Sequence, residues 1–409
     1  MLEHYFIKPD TIDRIRNSWL GAPIEQYVTW LHEQAYTARS ISRRVPLLIH
    51  FGDFAKNQGA QTWDDLPSYV DSFVNYWGQE RWQKRKSKDA KKEIEKETRC
   101  PIQQLLCLII PDYRGIGRPQ ANTPFLECAP GFFSYLQEER GLRLASMRHY
   151  YHYLRLFQKY LTKIELHNIG ELSPVILSAF VIDSGRYLSK STLSGLCVSL
   201  RVFLLYLHQE RIVSTNLSFH IEGPQKYALS NIPRSISWDD VRCMLEAVDR
   251  RLPVGKRDYA ILLLLVTYGL RAREVAVLTL DNIDWKRERI RIPERKAGHS
   301  SAYPLTPLVG EAILAYLQVR PSIPSRNVFC RVVAPNKQLT HSAISGRASH
   351  YLHKAGVQVA RAGSHTLRHT CVQHLVDETY RLGDYIGHRS PLQPRSIRRF
   401  QWNLFAKWP

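Results

Sequence analysis

From Tyr259 to Tyr268 the chain is apolar apart from Thr267, and Gly269, Leu270, Arg271, Ala272, Arg273 and Glu274 follow at once. So apolar a stretch has to be buried on most of its sides, so a core must form around it. The charge that follows at Arg271 then needs a partner or a ligand at the edge of that core. Glu274, one turn on, offers a partner, since an Arg–Glu pair at i,i+3 near a helix end is ordinary surface chemistry. A phosphate oxygen is the alternative. About a hundred residues later the chain carries His365-x-x-Arg368-His369. On a helix, positions i, i+3 and i+4 share a face, so an imidazole and a guanidinium point the same way and can grip a phosphate. Two arginines from separate parts of the chain suggest a clamp on one anionic group.

The overall charge agrees with an anionic partner. Lys and Arg number 57 against 37 acidic residues, a formal net charge of +20, which favours a polyanion. With 409 residues and 44% hydrophobic content, the chain divides into two or three domains with cores of their own. The seven cysteines, Cys100, Cys107, Cys128, Cys197, Cys243, Cys330 and Cys371, form no Cys-x-x-Cys and read as reduced core residues without zinc or iron–sulfur spacing. The start of the sequence lacks a signal-peptide layout, and no uninterrupted apolar segment reaches membrane-spanning length, so the expected location is cytoplasmic, with no membrane partner.

Taken in order, residues 1–78 read as a small helical domain with an apolar stripe through Ile24, Tyr27, Val28, Trp30, Leu31, Ile41, Val45, Leu48, Ile49, Phe51, Leu66, Val70, Phe73 and Val74. Thr37 and the serines near it suit the cap of a helix that presents arginines early, an arrangement fit for backbone phosphates. Residues 79–124 are dense in charge to Arg99, where a solvated helix or linker is expected ahead of a DNA-tracking arm, and then rich in Pro and Gly, with regular structure interrupted at Pro101 and again from Pro111 to Pro124. Residues 125–220 repeat the first block's plan: Tyr135 and Leu136 stand where Trp30 and Leu31 stood, Leu154 and Phe157 where Leu48 and Phe51 stood, and Leu172 where Leu66 stood, displaced by 105 or 106 positions. A polar tether over 221–235 leads to a last domain, 236–409, which opens with a capping box from Ser237 to Asp240. Within it, Glu288 to Ile292 and Ser301 to Leu305 alternate like paired strands, with Glu294 to Gly298 as their turn.

The order Gly269-Leu270-Arg271-x-x-Glu274, a lysine on the predicted hairpin, His365-x-x-Arg368-His369 and Ile386-Gly387-His388 resembles the catalytic half of the tyrosine recombinases, the phage-integrase and Xer-like family, over about residues 234 to 398. The resemblance implies all-α, SAM-like helical DNA-binding domains ahead of a mixed α+β, mainly helical, catalytic domain with a small antiparallel sheet. It implies strand breakage and rejoining in DNA integration and recombination, with double-stranded DNA as partner and an oligomer assembled on it. No cofactor or metal is implied. Arg271 and Arg368 match the family's phosphate clamp, His365 its hydrogen-bonding partner, and His388 the position touching the scissile phosphate. Lys296, eight residues before Pro304, matches the hairpin lysine that protonates the departing 5′ oxygen, with Arg295 as its rival.

One family residue is absent. Intact relatives carry the attacking tyrosine shortly beyond the last histidine, but from Arg389 to Phe400 there is none, and Arg398 lies near the expected place. Arginine stays protonated and phenylalanine has no oxygen to attack phosphorus. Tyr380 and Tyr385 precede His388 and would need rearrangement to serve. The expectation is a DNA-binding member that does not cleave alone, depends on a tyrosine-bearing recombinase as partner, or acts as a non-catalytic accessory.

Overall fold

Helix placement in the first half of the chain follows the apolar stripe and its caps. The structure, a computed structural model, describes residues 1–82, 90–111, 113, 115, 123–225, 235–293 and 301–386. They fall into two compact units, 116–232 and the remainder, and into three apolar cores.

In residues 1–115, α1 (Leu2–Tyr5), α2 (Pro9–Asn17), α3 (Gly21–Glu33), α4 (Ala38–Asn57), α5 (Leu66–Trp82) and α6 (Ala90–Ile109) surround a core containing the stripe residues named above, except that Trp30 is only partly buried and packs against it. Thr37 caps α4, its hydroxyl accepting the Ser40 amide at 3.3 Å. The segment expected as a solvated helix or linker holds α6, but this helix runs on past Pro101 and packs into the core, with Ile102, Leu105 and Leu106 fully buried. The charge around Lys91 and Lys92 obscures an apolar row, Ile94, Ile102, Leu105 and Leu106, that faces α3, α4 and α5. Pro101 lies inside α6 instead of ending it. Its missing amide costs one helical hydrogen bond, which the burial of its neighbours offsets.

Unit 116–232 repeats this plan in detail, with α7 (Phe132–Glu138), α8 (Leu144–Lys163), α9 (Pro174–Gly185) and α10 (Lys190–Gln209). Helices α4 and α8 both run 20 residues and start from an extended N-cap, Thr37 or Arg143. Both end on a left-handed residue, Gly59 or Glu165, after which the Ala60 and Leu166 amides reach back 3.0 Å to the Ala55 and Leu161 carbonyls. A 3₁₀ turn follows in each, Trp63–Asp65 and Ile169–Glu171. The core residues Ile41, Leu48, Phe51, Ala55 and Leu66 have Met147, Leu154, Phe157, Leu161 and Leu172 as counterparts. Helix α10 is long and apolar enough to cross a membrane by length and composition. Its Leu196, Leu200, Phe203, Leu204 and Leu207 instead fill the core of this unit, and its Arg201 donates to the Ile221 carbonyl.

The last region comprises α11 (Trp238–Glu246), α12 (Pro253–Thr267), α13 (Ala272–Ala276), β1 (Ile283–Asp284), β2 (Arg289–Ile292), β3 (Ser301–Pro304), α14 (Pro307–Leu317), α15 (His341–Lys354) and α16 (Ser364–Ile386). The strands form one antiparallel sheet in the order β1-β2-β3, with Arg289 opposite Pro304 and Ile292 opposite Ser301. Ile290 and Ile292 enter the core while Arg289 and Arg291 face solvent, the period-2 alternation of a half-buried strand. The Ser237–Asp240 capping box is present at α11, with Ser237 Oγ accepting the Asp240 amide at 3.1 Å. Helix α12 is buried from Ala260 to Val266 and packs against α14 and α16. Of the cysteines expected in the core, Cys197, Cys330 and Cys371 are buried, but Cys100, Cys107 and Cys243 lie on exposed helix faces.

At the start of α12, Asp258 is fully buried and accepts from the Arg257 guanidinium at 2.7 and 2.9 Å and from the Tyr351 hydroxyl at 3.2 Å. Arg257 also donates to the Cys330 carbonyl, and Arg347 lies 3.7 Å from the same carboxylate. This network pins α12 to α15. Burial, then the Asp258 charge, push the Tyr351 phenol up to about 12. Asp258→Ala strands a buried guanidinium and is expected to cost about 3–5 kcal/mol, read as a lower urea midpoint for the part of the chain that holds Trp238 and Trp285.

Candidate functional site

The apolar run ends where the chain must turn. After α12, Gly269 takes a left-handed φ of +58°, and Arg271 becomes the N-cap residue of α13. Glu274, in the first turn of α13, accepts the Arg271 amide at 2.9 Å and the Arg271 guanidinium at 3.0 Å. The Glu274 side chain is only 6% exposed and that of Arg271 is 43% exposed, so a buried carboxylate steadies a guanidinium that remains open to solvent. The Arg–Glu pair that the i,i+3 spacing allows is present, and the carboxylate takes one nitrogen of a guanidinium whose fork carries several donors.

Arg368 arrives from α16. Its Nη1 donates to the Gly269 carbonyl oxygen, across 99 residues of sequence and two positions before Arg271. One turn on, the Cys371 thiol donates to the Thr267 carbonyl at 3.5 Å. A Cβ on Gly269 would stand 3.2 Å from Cys371 Sγ and 3.9 Å from Arg368 Cγ, so glycine is needed both for the backbone conformation and for the close approach of α16. Burial pushes the Cys371 thiol up to about 12, with Arg368 opposing it, so the thiol stays protonated and able to donate.

His365 is exposed one turn before the half-buried Arg368, on the same face of α16. His369, which the sequence suggested as structural support, is also exposed, its ring centroid 6.5 Å from that of His365. The structure therefore brings Arg271 and Arg368 to one end of α12, with His365 one turn away from Arg368 on the same face of α16. Lys296, with Arg295, falls between β2 and β3 in the sequence and lies outside the described residues, as do His388 and Arg398. Tyr380 and Tyr385 fall on α16, with side chains outside the described part.

Contacts that sequence reasoning missed, on either side of the turn, complete the frame. The Tyr268 hydroxyl, nearly buried, donates to the Pro304 carbonyl at 2.7 Å and accepts the Thr306 amide at 3.2 Å, which ties the base of the β2–β3 hairpin to the turn carrying Arg271. Burial raises its pKa, so the phenol is neutral and can donate. On the other side of α16, Thr370 Oγ1 accepts the Ile236 amide at 3.0 Å, and His374 stacks on Trp238 with centroids 4.4 Å apart. A hydroxyl inside an apolar run was the available signal for Tyr268, because buried phenols take partners. Chemically, two guanidiniums and an imidazole offer donors to a tetrahedral oxyanion. Cys371, buried and protonated, is not a nucleophile.

Residues 234–391 match the Phage integrase family, and residues 130–211 match the phage integrase N-terminal SAM-like domain. Among curated relatives, the putative integrase/recombinase y4gC of Sinorhizobium fredii is 36% identical over 167 residues, covering 39% of this chain and 85% of that one. The putative integrase/recombinase y4rA of the same organism is 33% identical over 227 residues, covering 54% of this chain; the chain spans only 55% of its length. Tyrosine recombinase XerD of Pseudomonas putida is 29% identical over 278 residues, covering 63% of this chain and 86% of its own. Among solved structures, a lambda integrase dimer bound to a COC′ core site is 12% identical with a TM-score of 0.47, covering 76% of this chain and 89% of that one.

Gly269→Ala tests the frame directly. A left-handed alanine costs about 1–2 kcal/mol, and its Cβ presses on Cys371. Alkylation at mildly alkaline pH, mapped by mass spectrometry, is expected to spare Cys371 and label Cys243 in the parent, and to reach Cys371 much faster in the variant.

Proposed function

Because the chain belongs to the phage integrase family of tyrosine recombinases, we propose that it binds double-stranded DNA and acts in site-specific recombination and DNA integration, gripping a scissile phosphate between Arg271 and Arg368. The observation that supports this reading is the Arg368 bond to the Gly269 carbonyl, which sets one guanidinium against the turn that carries the other.

Attack of a phenolic oxygen on phosphorus builds negative charge on the non-bridging oxygens, and fixed N–H donors aimed there lower the barrier without reorganising. Arg271 is steadied by Glu274 and Arg368 by Gly269, so both are placed before the phosphate arrives. His365 supports a non-bridging oxygen, with His388 as a further contact. Lys296 gives a proton to the departing 5′ oxygen. The phosphotyrosyl bond keeps the energy of the broken diester, and the freed 5′ hydroxyl reverses the step on rejoining, so neither nucleotide nor redox cofactor is called for.

The nucleophile stands apart. With Arg398 near the tyrosine's place, this chain holds DNA in a mixed cytoplasmic assembly in which a tyrosine-bearing recombinase attacks the phosphate. The same substitution favours a second reading, a DNA-bound accessory that takes no part in cleavage.

A nicked suicide duplex separates these. The purified chain is expected to bind it and leave no covalent adduct. An adduct from this chain alone overturns the missing-nucleophile reading. When a tyrosine-bearing relative is added, an adduct supports the mixed assembly, and Arg271→Ala or Arg368→Ala is expected to slow its formation by about 100- to 1000-fold. No effect of either substitution favours the accessory.

A further inference from the structure

The two bundles can be set side by side at the helix that follows the 3₁₀ turn, α5 in the first and α9 in the second. Pro67, Phe73, Val74 and Gly78 stand 107 positions before Pro174, Phe180, Val181 and Gly185. In this register the buried Val70 and Phe73 match the buried Leu177 and Phe180, and the exposed positions coincide as well. Ser68, Asp71, Ser72 and Asn75 are exposed on α5, and Val175, Ser178, Ala179 and Ile182 are exposed on α9. One scaffold therefore presents the same four positions to solvent twice, polar in the first bundle and largely apolar in the second. Solvation alone favours the polar set in both places, so the apolar set needs another cause.

Val175 is 77% exposed and Ile182 is 65% exposed. They lie seven residues apart, two turns along one face, with the small Ser178 and Ala179 between them. From Pro174 to Gly185 the only charged residue is Asp183, and Arg186 lies 4.0 Å from its carboxylate. The 3₁₀ turn Leu217–His220 packs against α9 and adds an exposed Phe219. Scattered apolar residues are ordinary on a protein surface, but a row of them on one helix face marks a contact.

The order of sizes along the row identifies the occupant. It runs large, small, small, large, and so reads alike in both directions. A two-fold axis passing between Ser178 and Ala179 sets two such helices antiparallel, with Val175 of one copy against the partner's Ile182 at both ends and the small residues letting the helices approach. Charge points the same way. At a net charge of +20 two copies repel over most of their surfaces, whereas α9 offers a face without arginine or lysine until its C-cap. An acidic partner is drawn to the basic surfaces instead.

We propose that the exposed row of α9 is a homodimer contact, in which two copies of this chain pair through Val175, Ser178, Ala179 and Ile182 with no DNA present. The contact uses neither the phosphate clamp nor a duplex, so it stands apart from the function proposed above. A two-turn row is smaller than the roughly 800 Å² per partner of a standard interface, and the expected affinity is micromolar or weaker.

The test is sedimentation velocity on the full chain, treated with nuclease and freed of nucleic acid, at concentrations up to about 100 μM. The parent is expected to pass from monomer to dimer as concentration rises, and to keep the dimer in high salt, which screens charge but not apolar contact. Val175→Ser with Ile182→Asn installs the residues that the first bundle carries on the same face, and is expected to weaken the dimer on the order of a hundredfold. Both side chains are exposed, so an unchanged melting curve is expected and separates loss of pairing from loss of folding. With the exposed Cys100, Cys107 and Cys243 replaced by serine, Ala179→Cys is expected to form a disulfide between two copies on mild oxidation. A parent that stays monomeric throughout overturns the proposal. So does a dimer that survives the double variant, that dissolves in salt, or that leaves Ala179→Cys unlinked. Binding or failure to bind duplex DNA decides the proposed function and leaves this contact as it stands.

Discussion

The bond from Arg368 to the Gly269 carbonyl is the constraint on which the candidate site depends. A helix end leaves carbonyls without partners and carries partial negative charge. At the end of α12 the chain turns through a left-handed glycine, which aims the Gly269 oxygen toward α16, while the Thr267 oxygen accepts the Cys371 thiol. A guanidinium is well suited to this place. It answers the helix end with an N–H and a positive charge, and its planar fork is built to serve more than one acceptor. One interaction therefore closes the core and presents a charge at its edge.

The turn is held from several directions because α12 has little freedom of its own. At the start of the helix, Asp258 is tied to Arg257 and Tyr351, and at its end Tyr268 clasps the chain around Pro304. Between these points the helix is enclosed by apolar side chains. Arg271 then begins α13 with its amide and guanidinium both on Glu274, whose carboxylate also sits favourably at the positive end of that helix. Rigid placement matters for phosphate chemistry, because a donor already aimed at the developing charge spends nothing on reorganisation when it forms.

Much of this was legible in the sequence for identifiable physical reasons. The apolar stripe from Ile24 to Phe73, the Thr37 and Ser237 caps and the alternation through Ile290 and Ile292 are local signals, and each produced the element it indicates. The juxtaposition of Arg271 with Arg368 was suggested by letters and family order, but the atom that joins them is a backbone carbonyl, which no side-chain pattern can announce. Tyr268 and Asp258 were hidden for a related reason: their partners come from β3, the following loop and α15, and such pairings exist only once the chain has folded. The burial of helix α6 was missed because the many lysines near its start outweighed the apolar row behind them, a case of tertiary burial overriding local composition.

The duplicated bundle shows the same division between frame and surface. Paired positions inside the two copies stay apolar, as with Ile41 and Met147, Leu48 and Leu154, or Phe51 and Phe157, and the closing bonds at Ala60 and Leu166 are alike. Outside, α4 carries Arg39, Arg43 and Arg44 where the equivalent turns of α8 carry Ala145, His149 and Tyr150. Helix geometry fixes where these side chains stand and leaves their chemistry open. The shared backbone therefore explains why both halves fold, while recognition by each copy has to be sought in the residues that differ.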